Sequence, residues 1–87
     1  MSSENSYARF QRSIQNSIVK TERQIASAKR QLVLLDRRIS ELNRRLQSNW
    51  REIWVLRLQV VQGVRCQYKE YVLMKRRKLR KLYRDLA

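Results

Sequence analysis

Apolar residues recur along this chain with a period of seven. Counting from Ile18, every seventh residue up to Val60 is apolar, and a second row three positions later, which includes Leu35 and Leu42, is mostly compatible with burial. A mean spacing of 3.5 residues keeps one stripe of a helix facing a partner helix, so these rows are the a and d positions of a coiled coil. The pattern predicts an all-α protein built from long helix, either oligomeric or packed in a larger assembly.

The heptad pattern is compatible with one helix or with two. Residues 49–52 (Asn-Trp-Arg-Glu) resemble a helix capping box, and a turn near Ser48-Asn49 would produce an antiparallel two-helix hairpin with arms of similar length. The heptad phase nevertheless continues through residue 49, and this region has neither the glycine nor the proline that tight turns usually contain. We therefore favour a continuous helix over the hairpin, with Asn49 as a buried polar d residue.

The centre of the chain is apolar on nearly every side. A two-stranded coiled coil buries only its a and d positions, so residues 53–61 are predicted to be enclosed by further helices or by another protein. Trp50 and Trp54, one turn apart, are suited to anchor such a contact. The predicted helix-interface residues are Ile18, Ile25, Leu32, Leu35, Ile39, Leu42, Leu46, Trp50, Ile53, Trp54, Leu56 and Val60.

Changes in the pattern divide the chain into three segments. Residues 1–6 are polar and predicted to fray, residues 7–64 form the heptad segment, and residues 65–87 form a basic amphipathic C-terminal helix. Near Gly63 the apolar row slips by one residue, from Val60 to Val61, and then continues weakly to Leu86. Such a slip locally alters the supercoil of a coiled coil.

Arginine follows the same seven-residue period on the opposite face. Seven of the nine f positions from residue 9 to residue 65 are arginine, and f points directly away from the a/d stripe. A solvated outer face usually mixes Lys, Glu and Arg, yet neither Lys nor Glu occurs at these positions. Guanidinium groups are suited to bidentate contacts with phosphate and carboxylate, so this face is predicted to bind an anionic partner.

The whole chain is strongly basic. It carries 21 basic and 7 acidic residues, a net charge of +14 and a pI near 11.3, and residues 75–84 hold seven basic residues and no acidic one. Self-repulsion of this size opposes compact association unless a negative partner is present. The residues predicted to bind that partner are Arg23, Arg30, Arg37, Arg44, Arg51, Lys75, Arg76, Arg77, Lys78, Arg80, Lys81 and Arg84.

Residues that carry chemistry are scarce. The chain has no histidine, one cysteine (Cys66), one glycine and scattered carboxylates, so we expect no metal site, no cofactor and no catalytic activity. No apolar stretch is long enough to predict a membrane span. A nuclear or cytoplasmic location is favoured, although a basic amphipathic N-terminus is also compatible with a mitochondrial presequence.

The predicted function is that of a non-enzymatic coiled-coil subunit. It would join other coiled-coil chains, its own copies or different ones, through the a/d stripe and contact nucleic-acid phosphate through the arginine face and the basic tail. Two alternatives fit the same charge pattern. The first is an adaptor of the cytoskeletal or kinetochore type that docks on an acidic protein surface, and the second is a peripheral membrane scaffold.

Overall fold

The structure, a computed structural model, describes residues 6–87 and contains two helices joined by a short turn. Helix α1 spans Ser6–Ser48 and helix α2 spans Glu52–Leu86. They lie antiparallel in a rod 16 × 15 Å in cross-section, and 43 residues at 1.5 Å each make α1 about 64 Å long. The predicted all-α, long-helix class is confirmed, in its hairpin form.

The favoured continuous helix is wrong, and the turn explains why. The chain leaves α1 with the N–H of Asn49 bonded to the carbonyl of Arg45 at 2.8 Å. Arg51 is then extended, at φ −142° and ψ 140°, and its carbonyl accepts the N–H of Trp54 at 3.0 Å. No residue in the described range has a positive φ, so the reversal needs neither glycine nor proline. Asn49 is exposed, not a buried d residue.

The capping box suggested by residues 49–52 does not form. Arg51, not Asn49, is the N-cap of α2, and it makes no side-chain hydrogen bond to the helix end. Glu52 places a carboxylate in the first turn of α2, where the positive end of the helix dipole favours it. The N-terminus of α2 is therefore stabilised by the interaction of Glu52 with the helix dipole and by backbone hydrogen bonds, without a polar side-chain cap.

The predicted boundaries of the three segments fall differently on the structure. Residues 1–5 of the segment predicted to fray lie outside the described residues, and Ser6 is the first residue of α1. The predicted boundary between residues 64 and 65 lies inside α2, which continues without interruption to Leu86.

Helix α1 contributes the predicted heptad rows to the interior of the hairpin. Ten of its residues, spaced alternately by three and four, are buried or half-buried against α2. Leu42 has no exposed surface, and Thr21 has almost none. The ten are Ile14, Ile18, Thr21, Ile25, Ala28, Leu32, Leu35, Ile39, Leu42 and Leu46.

The inward row of helix α2 is displaced by two residues from the heptad count that starts at Ile18, so that Trp54, Leu58 and Val61 take the places of Leu56, Val60 and Gly63. The one-residue slip that the sequence suggests near Gly63 does not describe this displacement. The inward row runs through Trp54, Leu58, Val61, Arg65, Tyr68, Val72, Lys75, Leu79, Leu82 and Leu86. Two of these ten residues carry charge, which limits how completely the helices bury each other.

A cluster of buried residues from both helices lies away from the turn. Val72 of α2 packs with Ile25 and Ala28 of α1, and half-buried Leu32, Tyr68, Tyr71 and Leu79 surround them. The segment that follows Val72 is therefore held beside the first half of α1.

At the turn, the guanidinium carbons of Arg45 and Arg57 lie 5.0 and 5.2 Å from the centroid of the Trp54 ring, in a cation–π arrangement.

Candidate polyanion-binding surface

The predicted arginine stripe lies on the outer face of α1. Arg23, Arg30, Arg37 and Arg44 are all exposed, and seven-residue steps at 1.5 Å separate them by about 10.5 Å along the helix. Within residues 6–87, no carboxylate lies at salt-bridge distance from any of these four guanidinium groups. They are a straight row of charges available to an external anion.

The stripe changes character at and beyond the turn. Arg51 is exposed but belongs to the turn, where it precedes α2. Arg65, which continues the seven-residue count, lies in the inward row and donates from its Nε to an Oδ1 of Asp36. The count of sevens therefore identifies an outward row on α1 only.

The basic tail, residues 75–84, follows a different pattern on α2. Lys75 is half-buried, with its Nζ 5.4 Å from the centroid of the Tyr71 ring. This is a cation–π contact, and it places the ammonium at the edge of the interior. The other basic residues of the tail are exposed: Arg76, Arg77, Lys78, Arg80, Lys81 and Arg84.

The hairpin concentrates charge that is evenly distributed along the sequence. We define the terminal half as residues 6–30 with 70–87, and the turn half as residues 31–69. The terminal half carries thirteen basic and three acidic residues, against eight and three in the turn half. Three ion pairs of the described residues, Arg38–Glu41, Arg45–Glu41 and Arg65–Asp36, all lie in the turn half. One end of the rod is thus far more positive than the other.

Several open depressions in this region are lined by basic side chains. One is formed by Arg77, Arg80 and Arg84 on α2 alone. A second lies between the helices, with Lys29, Lys69 and Arg76 around Leu32, Val72 and Leu73. A third, on α1, is lined by Arg9, Arg12, Ser13, Asn16, Ser17 and Lys20.

Arg9 belongs to the arginine face predicted from the sequence, but Arg12, Lys20, Lys29 and Lys69 were not predicted to bind the anionic partner. Only the fold-back of α2 brings the basic tail beside the first half of α1. The available signal was the basic amphipathic character of residues 7–30, which becomes informative only once a hairpin is assumed.

The predicted helix-interface residues separate into two groups. Ile18, Ile25, Leu32, Leu35, Ile39, Leu42 and Leu46 line the interior of the hairpin, and Trp54 is half-buried beside the turn. Trp50, Ile53, Leu56 and Val60 face outward, with 68, 45, 50 and 66% of their surfaces exposed. A contact of this second group with a further helix stays a prediction.

Comparison with known proteins finds no match among protein-family models, curated proteins or solved structures. Neither helix of the described region combines the length and the apolarity needed to cross a lipid bilayer. The function of the chain therefore has to be inferred from its own residues.

Proposed function

We propose that this chain is a non-enzymatic helical hairpin that binds nucleic-acid phosphate through its terminal half and holds it within an assembly of helical proteins. The observation that carries the proposal is the concentration of charge at one end, thirteen basic residues against three acidic ones. A field of one sign attracts polyanions and raises their rate of association.

The chemistry of the exposed groups favours phosphate as the ligand. Duplex DNA carries about one negative charge per 1.7 Å of axis, so a rod with several rows of guanidinium groups can meet many phosphates at once. Within the terminal half, Arg23 and Arg30 of the exposed row on α1 and the cluster of Arg77, Arg80 and Arg84 present arginine from both helices. Arginine forms paired hydrogen bonds with phosphate oxygens, which lysine cannot do.

Binding is expected to depend little on nucleotide sequence. Residues 70–87 include no asparagine and no glutamine, the side chains that most often read adenine edges. Contacts to phosphate fix the position of a protein on nucleic acid but carry no sequence information directly. The hairpin should therefore bind unrelated duplexes with similar affinity.

A three-way competition tests the proposal. The full chain is bound to a labelled duplex at physiological salt, and an unlabelled duplex, a polyglutamate of equal charge and anionic vesicles are added separately. We expect the unlabelled duplex to displace the label at the lowest concentration. If polyglutamate binds and the duplex does not, the acidic-protein adaptor is the correct function; preferential binding to vesicles would instead establish the membrane scaffold.

A further inference from the structure

Helix α2 carries a second apolar row that the hairpin does not use. This row consists of residues spaced alternately by three and four, and it lies on the face opposite the inward row: Ile53, Leu56, Val60 and Gly63. The three large side chains among them are 45–66% exposed. A helix with two apolar rows has the pattern of one that contacts helices on both sides.

Gly63 is not explained by the hairpin itself. Glycine is less favourable than alanine inside a helix, because it loses more backbone freedom on folding. Its φ is not positive, and a Cβ built at this position would have nothing within 4 Å, so neither backbone conformation nor internal packing requires a glycine here. A glycine at the end of an exposed apolar row is, however, what lets a second backbone approach closely.

Beside this row runs an open groove with an apolar floor and a basic rim. Leu56, Val60 and half-buried Val61 form the floor, while Arg38 of α1 and Arg57 of α2 line the sides. Arg38 lies 3.5 Å from Glu41, and Arg57 lies over the Trp54 ring. No carboxylate lines the groove itself among the residues described.

We propose that the groove and the row Ile53–Leu56–Val60–Gly63 bind an amphipathic helix of another protein, one whose apolar stripe is flanked by acidic residues. This completes a three-helix bundle at the turn half and gives the assembly part of the proposed function, on which it rests, a defined site. Helix-in-groove recognition of this kind uses apolar anchors spaced like those of the row.

The charge at the rim decides between a second copy and a different protein. A second copy would bring another net charge of +14 and place arginines against arginines within the screening length of about 8 Å at physiological salt. Like charges opposed in this way disfavour the pairing. Acidic residues flanking the apolar stripe of the incoming helix would instead be attracted to the arginines at the rim. The groove therefore fits an acidic helix and not a second copy of this chain.

The test uses the full chain and a designed helical peptide of three heptads, with leucine in the apolar stripe and glutamate on both flanks. Three control peptides isolate the features: lysine flanks, serine in place of the leucines, and a scrambled sequence. Binding is measured by the fluorescence of a dye attached to each peptide. We expect only the glutamate-flanked peptide with leucines to bind. Equal binding of the serine peptide would overturn the proposal, because charge alone would then account for it.

Variants of the chain locate the site. Leu56→Gln with Val60→Gln should weaken peptide binding at least tenfold, whereas Met74→Gln, on a residue 54% exposed outside the groove, should leave it unchanged. All three positions are exposed, so helicity should persist and is checked by circular dichroism. Gly63→Ala should raise the melting temperature, while Gly63→Leu should block the peptide. Unchanged peptide affinity in the Leu56 and Val60 variant would overturn the proposal.

Two further measurements separate this inference from its rivals. Sedimentation equilibrium of the chain alone should give a monomer; a dimer that the Leu56 and Val60 variant dissociates would assign the face to a second copy and contradict the proposal. Duplex binding by the same variant should equal that of the native chain. If the native chain binds the peptide but no duplex, the groove is supported and phosphate recognition is rejected. If it binds the duplex but not the peptide, phosphate recognition is supported and the groove is rejected.

Discussion

Arg65 of α2 and Asp36 of α1 are joined by a hydrogen-bonded ion pair although 29 positions separate them in the sequence. Arg65 occupies the inward row, where most positions are apolar, and its guanidinium reaches Asp36 at the edge of the interior. Polar residues in a coiled-coil core favour one register over its alternatives. We therefore expect the pair to favour the observed register of α2 along α1.

Replacing Asp36 with Asn should destabilise the hairpin only slightly. The two side chains are 56% and 32% exposed, and partly exposed ion pairs contribute at most about 1 kcal/mol. Arg65→Asp places two carboxylates against each other and should lower the stability of the hairpin further. The double variant Asp36→Arg with Arg65→Asp restores an ion pair and should recover stability. Urea unfolding at low and high salt measures these differences; a double exchange no better than the single change would show that the pair sets no register.

Distances within one chain should distinguish the hairpin from a continuous helix. Spin labels on cysteines at Arg23 and Arg76, with the exposed Cys66 replaced by Ser, should lie about 20 Å apart in the hairpin. A continuous helix would separate them by roughly 80 Å, at 1.5 Å per residue. Pulsed electron spin resonance of labelled chains diluted into unlabelled ones reports the distance inside a single chain. A long distance under these conditions would exclude the fold described above.

The sequence predicted the helices and the inward row of α1 because both depend on local periodicity. The turn near Ser48-Asn49 was the less favoured of the two predictions, since Asn49 and Arg51 reverse the chain with ordinary backbone angles and leave no glycine or proline as a signal. The unbroken heptad phase pointed to a continuous helix, but beyond the turn that phase belongs to the outer row of α2. Two apolar rows on one helix cannot be assigned to inner and outer faces from spacing alone.

The candidate surface was predictable only in part for the same reason. The exposed arginines of α1 and the basic tail are both visible in the sequence. Their concentration at one end depends on the packing of Val72 against Ile25 and Ala28, a contact between residues more than forty positions apart. The inward orientation of Arg65 follows from the frame shift at the turn, which a count of sevens does not detect.

Leu42→Ala should be strongly destabilising. Leu42 has no exposed surface, and truncating a buried leucine to alanine typically costs about 2–5 kcal/mol. Leu34→Ala provides the matched control, because Leu34 lies on the same helix but is 52% exposed, and surface changes usually remain within about 0.5 kcal/mol. Circular dichroism during denaturant unfolding compares the two. Similar losses from both variants would mean that Leu42 is not part of a packed interior.

Neutralising the tail should weaken duplex binding and reduce its dependence on salt. Arg77, Arg80 and Arg84 line one depression in the terminal half, and all three are exposed. Each phosphate contact on duplex DNA contributes about 0.9 to the slope of log affinity against log salt. Changing all three to Gln should therefore lower that slope by up to nearly three, to a similar extent for unrelated duplexes.

The control for that measurement removes the same charge from the other end of the rod. Arg37, Arg44 and Arg51 of the turn half are also exposed, and changing them to Gln lowers the net charge by three as well. If duplexes bind the terminal half, the slope should fall less in this variant than in the tail variant, because long-range attraction is reduced equally but fewer contacts are lost. Equal slopes in the two variants would mean that nucleic acid responds to total charge and does not prefer the terminal half.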